Sequence, residues 1–316
     1  MTEEKLFTLV GIRPEPPAPQ KKVRRLKGFP WISVILMTAI VLCCLFAEVI
    51  MTKDPSYLDL KNFNVAPNAE FLFGTDTLGR DIFSGIWYGG RISIMIGFLA
   101  TVISTFIAVV YGSVSGIAPV WLDTLMMRFT EIFLSVPGLL LVLFLQAILG
   151  EANVLTLSIV IGVTSWASIA KVIRTEVRQI RNSEYVVASR CMGGKFFHIL
   201  RKHLAPNFIA SIMFMVVMNV RGAIGSESTL SFMGMGLPLE IISWGSMLSL
   251  AEKALLTDSW WIILIPGIFL VTLLMCLTNI GNYLRKTVNR RRAICNGRTE
   301  SHTDCPRKAV SADAAN

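Results

Sequence analysis

The sequence is short of charge, and it lacks every pattern that would make it an enzyme. Asp, Glu, Lys and Arg are 16% of its 316 residues, against roughly 25% in soluble domains. A soluble chain so poor in charge could not cover its surface, so most of it must face lipid or other apolar chain. Hydrophobic residues make up 53%. The six cysteines are scattered, Cys43 and Cys44 adjacent in an apolar run, with no CxxC spacing. Neither a disulfide framework nor a zinc site is indicated. Three histidines, His198, His203 and His302, are too few and too poorly spaced to hold a metal. No GxxxxGKS/T occurs, so there is no cradle for ATP phosphates. HExxH and GxSxG are missing too. No pair of membrane-embedded carboxylates is set up for proteolysis, since Glu48 and Glu131 fall near span ends. No enzyme activity, cofactor or metal is expected of this chain alone.

What is present is six apolar runs: 31–51, 92–112, 129–149, 154–170, 207–226 and 260–280. A helix needs about 20 residues to cross roughly 30 Å of hydrocarbon. Only helices and closed barrels satisfy their backbone there, and continuous runs rather than alternation select helices. The sequence therefore predicts an all-α membrane protein with six transmembrane helices. Pro137 and Pro266 lie inside two runs and should kink them or mark first turns.

The net charge of +9 would suggest nucleic acid in a soluble protein. Here it reports orientation. With the N-terminus inside, 24 of the 30 Lys and Arg fall in 1–30, 119–128, 171–206 and 285–316; five fall in 52–91, 150–153 and 227–258. That is the positive-inside pattern. It places both termini in the cytosol and removes the case for nucleic acid. Four regions are expected. Residues 1–30, rich in Pro, form a cytosolic basic arm. Residues 31–91 hold the first span and an external segment. Residues 92–284 hold the remaining spans and a cytosolic loop at 171–206. Residues 285–316 form a disordered basic tail on anionic lipid.

The loop at 171–206 is the most informative stretch. Lys171, Arg174, Arg178 and Arg181 recur at spacings of three and four, a basic stripe on a helix leaving the membrane. Glu184 follows, then small Ala188 and Ser189, which let another surface approach. Gly193-Gly194 permits a sharp reversal. An amphipathic stretch through Phe196, Phe197, Ile199 and Leu200 leads to Pro206 near the first turn of span five. A loop lying on anionic lipid would account for the stripe but not for the Glu-small-Gly order. That order, with its Leu204-Ala205-Pro206 ending, resembles the EAA loop of ABC-importer permeases. Glu184, Ala188, Ser189, Gly193 and Pro206 fall on motif positions; Ser189 stands where Ala is commoner, and Ala205 interrupts the Leu-Pro ending. The resemblance implies a coupling helix seated in a cleft of an ATPase subunit.

Two further motifs narrow the family. Gly74, Thr75, Asp76, Gly79, Arg80 and Asp81 lie in Phe73–Asp81, which continues through Tyr88-Gly89-Gly90-Arg91-Ile92-Ser93. This resembles the GTDxLGRD signature of the C-type permease subunit of oligopeptide, dipeptide and nickel importers, with Gly85 where that family usually has Arg. Glu227–Gly236, Ser243-Trp244-Gly245, Trp260-Trp261 and Pro266-Gly267 are similar to the same subunit; Asn282 stands where it often has Asp. Read by itself, Asp76 can cap the turn at Thr77-Leu78-Gly79, and Gly79 suits a tight bend before a helix starting near Asp81. Arg80 and Asp81 could pair. The signature is expected to shape the external mouth.

The resemblance covers about 31–292 and implies the ABC-importer permease fold, working by alternating access. It implies a homologous second permease subunit, two ATPase subunits that bind ATP and Mg, and an extracytosolic solute-binding protein. The place is the inner or plasma membrane of a prokaryote. The cargo would be oligo- or dipeptides, with nickel or a metal chelate as the alternative. A stand-alone channel or secondary transporter would not need the EAA-like loop.

Arg221 is the strong charge inside a span. Such a charge costs at least about 2.5–3.5 kcal/mol at the bilayer centre. It should face the pore, as a substrate-carboxylate contact or gate, or pair in the bundle interior with Glu227, or snorkel outward. Gly222 and Gly225 beside it favour close helix packing, as does the GxxxG spacing of Gly112 and Gly116.

Overall fold

The computed structural model describes residues 28–59, 61–150, 153–181, 205–250, 254 and 257–303. Of these, Phe29–Asn289 belong to one compact unit, which contains every contact given below. The other unit, Met1–Gly28 with Arg290–Asn316, is described only at Gly28 and in helical residues up to Thr303.

The described elements are helices: α1 (Trp31–Leu45), α2 (Ala47–Ile50), α3 (Ile82–Ile117), α4 (Val120–Ser135), α5 (Gly138–Leu149), α6 (Val154–Arg181), α7 (Ala205–Phe232), α8 (Trp244–Ser249) and α9 (Trp261–Thr303). Pairing of extended chain among them is limited to an isolated bridge between Thr75 and Asp81. Three are long and apolar enough to cross a bilayer: Ile82–Ile117, Val154–Gln179 and Trp261–Thr287. Helices α4 and α5 qualify only as a pair, bent by 88° at the break between them. Helix α1 is apolar but 15 residues long.

The run at 129–149 is thus not one straight helix. Pro137 has no N–H to continue the ladder, and it drives the residue before it out of the helical region. Val136 accordingly sits at φ −83°, ψ 128°. Pro266, by contrast, lies inside α9 without ending it. The chain past 285 also departs from expectation. It is helical as far as Thr303 rather than irregular. Its Arg, Lys and Ala are good helix formers, which a reading based on charge alone overlooks.

Helix α3 is the spine, packing along α6 and then α7. The contact with α6 is made almost backbone to backbone. A Cβ added at Gly112 would lie 2.6 Å from the Ala170 carbonyl oxygen, and one at Gly116 would lie 2.7 Å from Val177 Cγ1. Gly162 of α6 approaches Ile103 of α3 in the same way. In lipid no hydrophobic drive joins helices, so association rests on such close approach. Buried layers follow α3 along its length, from Ala108, Ala170 and Ile173 through Ile96, Ala100 and Val160 to Ile82 and Ile86. The outer faces expose Phe98, Phe106, Val110, Ile159 and Ile268.

Gly112→Leu should destabilise the detergent-solubilised chain by about 1–3 kcal/mol, since overpacking a filled contact costs that much. Gly222→Ala should be neutral or slightly stabilising, because a Cβ there meets nothing within 4 Å. Thermal unfolding of the two variants side by side checks both.

Candidate functional site

The loops that follow α2 and α7 fold together at one end of the bundle, as a cap. The 74–81 signature is its tightest part. Gly79 takes φ +75°, and a Cβ there would collide with the Asp59 carbonyl oxygen. Asp76 Oδ1 accepts from the backbone N–H of Leu78 and of Arg80, both at 2.8 Å. Burial pushes the Asp76 carboxyl above its usual range, and those two N–H groups pull it partly back. Thr75 Oγ1 donates to the Asn62 carbonyl at 2.6 Å and accepts from Val65 N at 2.8 Å. Trp261 Nε1 donates to the Thr75 carbonyl. Gly74, at φ +77°, lies against the Trp261 ring.

Arg80 and Asp81 do not pair. Asp81 turns inward to cap α3, accepting from Ser84 N at 3.1 Å, Ser84 Oγ at 2.6 Å and Thr52 Oγ1 at 3.1 Å. Arg80 turns outward, and its Nη1 donates to the Leu239 carbonyl at 2.8 Å. Capping a long helix needs the carboxylate at the N-terminus, which points it away from the neighbouring guanidinium.

Glu227 lies beneath this cap, fully buried on α7. Four hydroxyls converge on it: Ser243 Oγ at 2.7 Å and Ser231 Oγ at 3.1 Å on Oε1, Ser93 Oγ at 3.1 Å and Ser228 Oγ at 3.3 Å on Oε2. Three of these hydroxyls in turn accept a backbone N–H, from Ser246, Leu237 and Trp244. One carboxylate thereby ties α3, α7 and the start of α8 to each other. Close approach of Gly245 to Ser228 and Ser231 makes room for it. The sequence names Glu227 as a motif member and as a candidate partner of Arg221, not as the centre of a hydroxyl cluster. The run of serines at 226, 228 and 231 was the signal available for its role.

Arg221 lies on a different face of α7 and does not pair with Glu227. Its side chain is exposed in the single chain and has no ion-pair or hydrogen-bond partner among the described residues. Gly222 and Gly225 also face open space, so within this chain they bring no helix close. Six residues separate Arg221 from Glu227, which puts the two on different sides of a 3.6-residue helix.

At the opposite end the basic stripe of α6 turns back on the bundle. Asp123, near the start of α4, has a side chain 4% exposed. It accepts two bonds from Arg174, through Nε and Nη2, and lies 3.2 Å from Arg178 Nη1. Ser115 Oγ of α3 donates to it at 2.7 Å. Arg181 Nη1 donates to the Ile117 carbonyl at the end of α3. Glu184, Ala188, Ser189 and Gly193 lie outside the described residues. Pro206 is the second residue of α7.

Residues 108–291 match the family described as binding-protein-dependent transport system inner membrane component. The chain belongs to that family. A dipeptide transport system permease protein of Bacillus subtilis is 37% identical over 226 residues, covering 72% of this chain and 70% of that protein. An oligopeptide transport system permease protein of the same organism is 36% identical over 258 residues, covering 82% and 84%. A putative peptide permease protein of Brucella suis is 32% identical over 260 residues, covering 82% and 86%. Among solved structures, a chain of the MetNI methionine ABC transporter in an inward facing conformation matches with a TM-score of 0.54 at 18% identity, covering 65% of this chain and 96% of that one. The fold is therefore that of an importer permease, and the chain is the permease component of an ABC importer.

In this permease the cap should depend on Glu227. Glu227→Leu leaves four hydroxyls without their acceptor and should cost on the order of 3 kcal/mol; Ser93→Ala should cost about half as much. Hydrogen exchange should quicken at the amides of Leu237, Trp244 and Ser246. Unchanged exchange in Glu227→Leu would show that packing alone holds the cap.

Proposed function

We propose that this permease forms half of the pathway by which an ATP-driven importer moves oligo- or dipeptides into the cell. What supports the cargo is the naming of its relatives as dipeptide and oligopeptide permeases at 37% and 36% identity over most of the chain. Its partners would be a homologous second permease, two ATPase subunits that bind ATP and Mg, and an extracytosolic solute-binding protein. Six spans would be supplied by α1 with α2, α3, the bent α4–α5 pair, α6, α7 and α9, since each of the six apolar runs falls on one of these. Both termini would lie in the cytosol, in keeping with the 24-to-5 distribution of Lys and Arg.

The work is mechanical. Closure of the ATPases would move the loop carrying Glu184, Ala188, Ser189, Gly193 and Pro206, and rigid helices would pass that motion to a gate. Glu184 and the small residues need shape and packing there, not nucleophilicity. Arg221 fits the pathway face of α7. A cation with no partner among the described residues is costly against lipid and is suited to a peptide's terminal carboxylate. The 74–81 cap would shape the external mouth that receives the solute. A nickel or metal-chelate cargo is the second reading, favoured by the signature shared with that subfamily.

In a strain lacking this permease, restoring the gene should restore uptake of labelled dipeptides and not of nickel. The reverse would move the cargo to the metal class. Gly193→Leu should abolish uptake while leaving the complex assembled. Arg221→Leu should lower uptake roughly tenfold with assembly intact; normal uptake would remove Arg221 from the pathway.

A further inference from the structure

The stripe on α6 presents four cations, and three of them have partners among the described residues. Arg174 and Arg178 hold Asp123, and Arg181 holds the Ile117 carbonyl. Asp123 also accepts from Ser115 of α3. The end of α3, the first turn of α4 and the last turns of α6 therefore meet at one buried carboxylate. Beyond Arg181, α6 runs directly into the segment that carries Glu184 and Gly193.

Helix α4 otherwise keeps one broad face uncovered. Trp121, Leu125, Phe129 and Ile132 are exposed along it. Its other ion pair, Arg128 with Glu131, is exposed and internal to the helix. Tyr111 of α3 donates to the Met126 carbonyl at 2.7 Å and accepts from Thr130 Oγ1, and Phe133 lies against Trp166 of α6. At its far end α4 breaks into α5 through the 88° bend at Pro137. A buried ion pair is seldom the most stabilising choice for a helix contact; apolar packing does as well or better. Charge adds a fixed register instead, because only one placement of Asp123 reaches both guanidinium groups.

We infer that Asp123 is a positioning residue for transport: it locks α4 to the base of the coupling loop, so that displacement of the loop is delivered to α4 and through the bend to α5. The inference rests on the proposed coupling role of 184–206. The ties to α3 make the joint a corner of three helices, which moves as a piece. Loss of the charge frees α4 while the ATPase contact on the loop stays in place, so hydrolysis continues and transport per ATP falls.

The test uses the assembled transporter in proteoliposomes, with labelled dialanine uptake and ATP hydrolysis measured on the same preparation. Asp123→Asn should lower uptake per ATP at least tenfold, with hydrolysis within about twofold of the parent. Asp123→Glu, which keeps the charge, should recover much of the coupling; a Glu variant as uncoupled as the Asn variant would overturn the role of the charge. Arg178→Gln removes only the longer contact and should give an intermediate loss, which serves if Asp123→Asn fails to assemble. Parental uptake per ATP in Asp123→Asn, or in Arg178→Gln where that variant stands in, overturns the inference. Gly193→Leu, measured alongside, separates the two claims. If Gly193→Leu is uncoupled and Asp123→Asn is not, the coupling loop stands and the α4 joint falls. If Gly193→Leu transports normally, the coupling reading itself falls.

Discussion

Everything in this permease hangs on the line where α3 meets α6 at glycines, each lying against a carbonyl or side chain of the other helix. Gly112 and Gly116 of α3 and Gly162 of α6 let the two helices close to contact distance. Lipid gives helices no hydrophobic reason to associate, so this shape fit must do what burial does in a soluble core. Helix α7 then packs on both, and α1, α2 and α5 lie along the pair. The fold is consequently rigid along α3 and open on the outer faces, where exposed Phe, Val and Ile side chains suit lipid or a second subunit.

Each end of that line is finished by a buried carboxylate, and the chemistry differs between them. Glu227 is solvated by serine hydroxyls, which relay backbone N–H groups from α8 and the loop before it. Such a network draws on neutral groups, and the Glu227 carboxylate has no cation among its partners in the described residues. Asp123 is held by guanidinium groups of α6, the helix that precedes the 182–204 segment. The cap end is thus fastened by many weak donors and the loop end by two strong ones. If the loop at 184–206 couples to an ATPase as proposed, force enters at the Asp123 end, where the joint is made of charged groups.

Much of this was legible in the sequence, and the parts that were not share a cause. Apolar runs, the Gly112–Gly116 spacing, the turn at Asp76–Gly79 and the helix start near Asp81 are local patterns, and each appears where residue type dictates. The bend at Pro137 was half legible: the proline announced a break, but its angle depends on where α4 finds a partner. Arg221 was expected either to pair inward or to face a pathway, and the helical phase between 221 and 227 rules out the pairing. The basic stripe on α6 was read as a helix leaving the membrane with no partner assigned, because Asp123 lies some fifty residues earlier, beside Arg128. Arg80 was matched to its neighbour Asp81 for the same reason. Sequence adjacency suggests pairs; long-range packing decides them.

The central claim is that the pathway in this chain is opened by ATP hydrolysed on other subunits. The most direct measurement is peptide accumulation in proteoliposomes containing the purified permease complex, with and without ATP and the solute-binding protein. The account predicts uphill accumulation only when the ATPases, ATP and binding protein are all present. Uptake by the permease without an ATPase, driven by the peptide's own gradient or by an ion gradient, would contradict it.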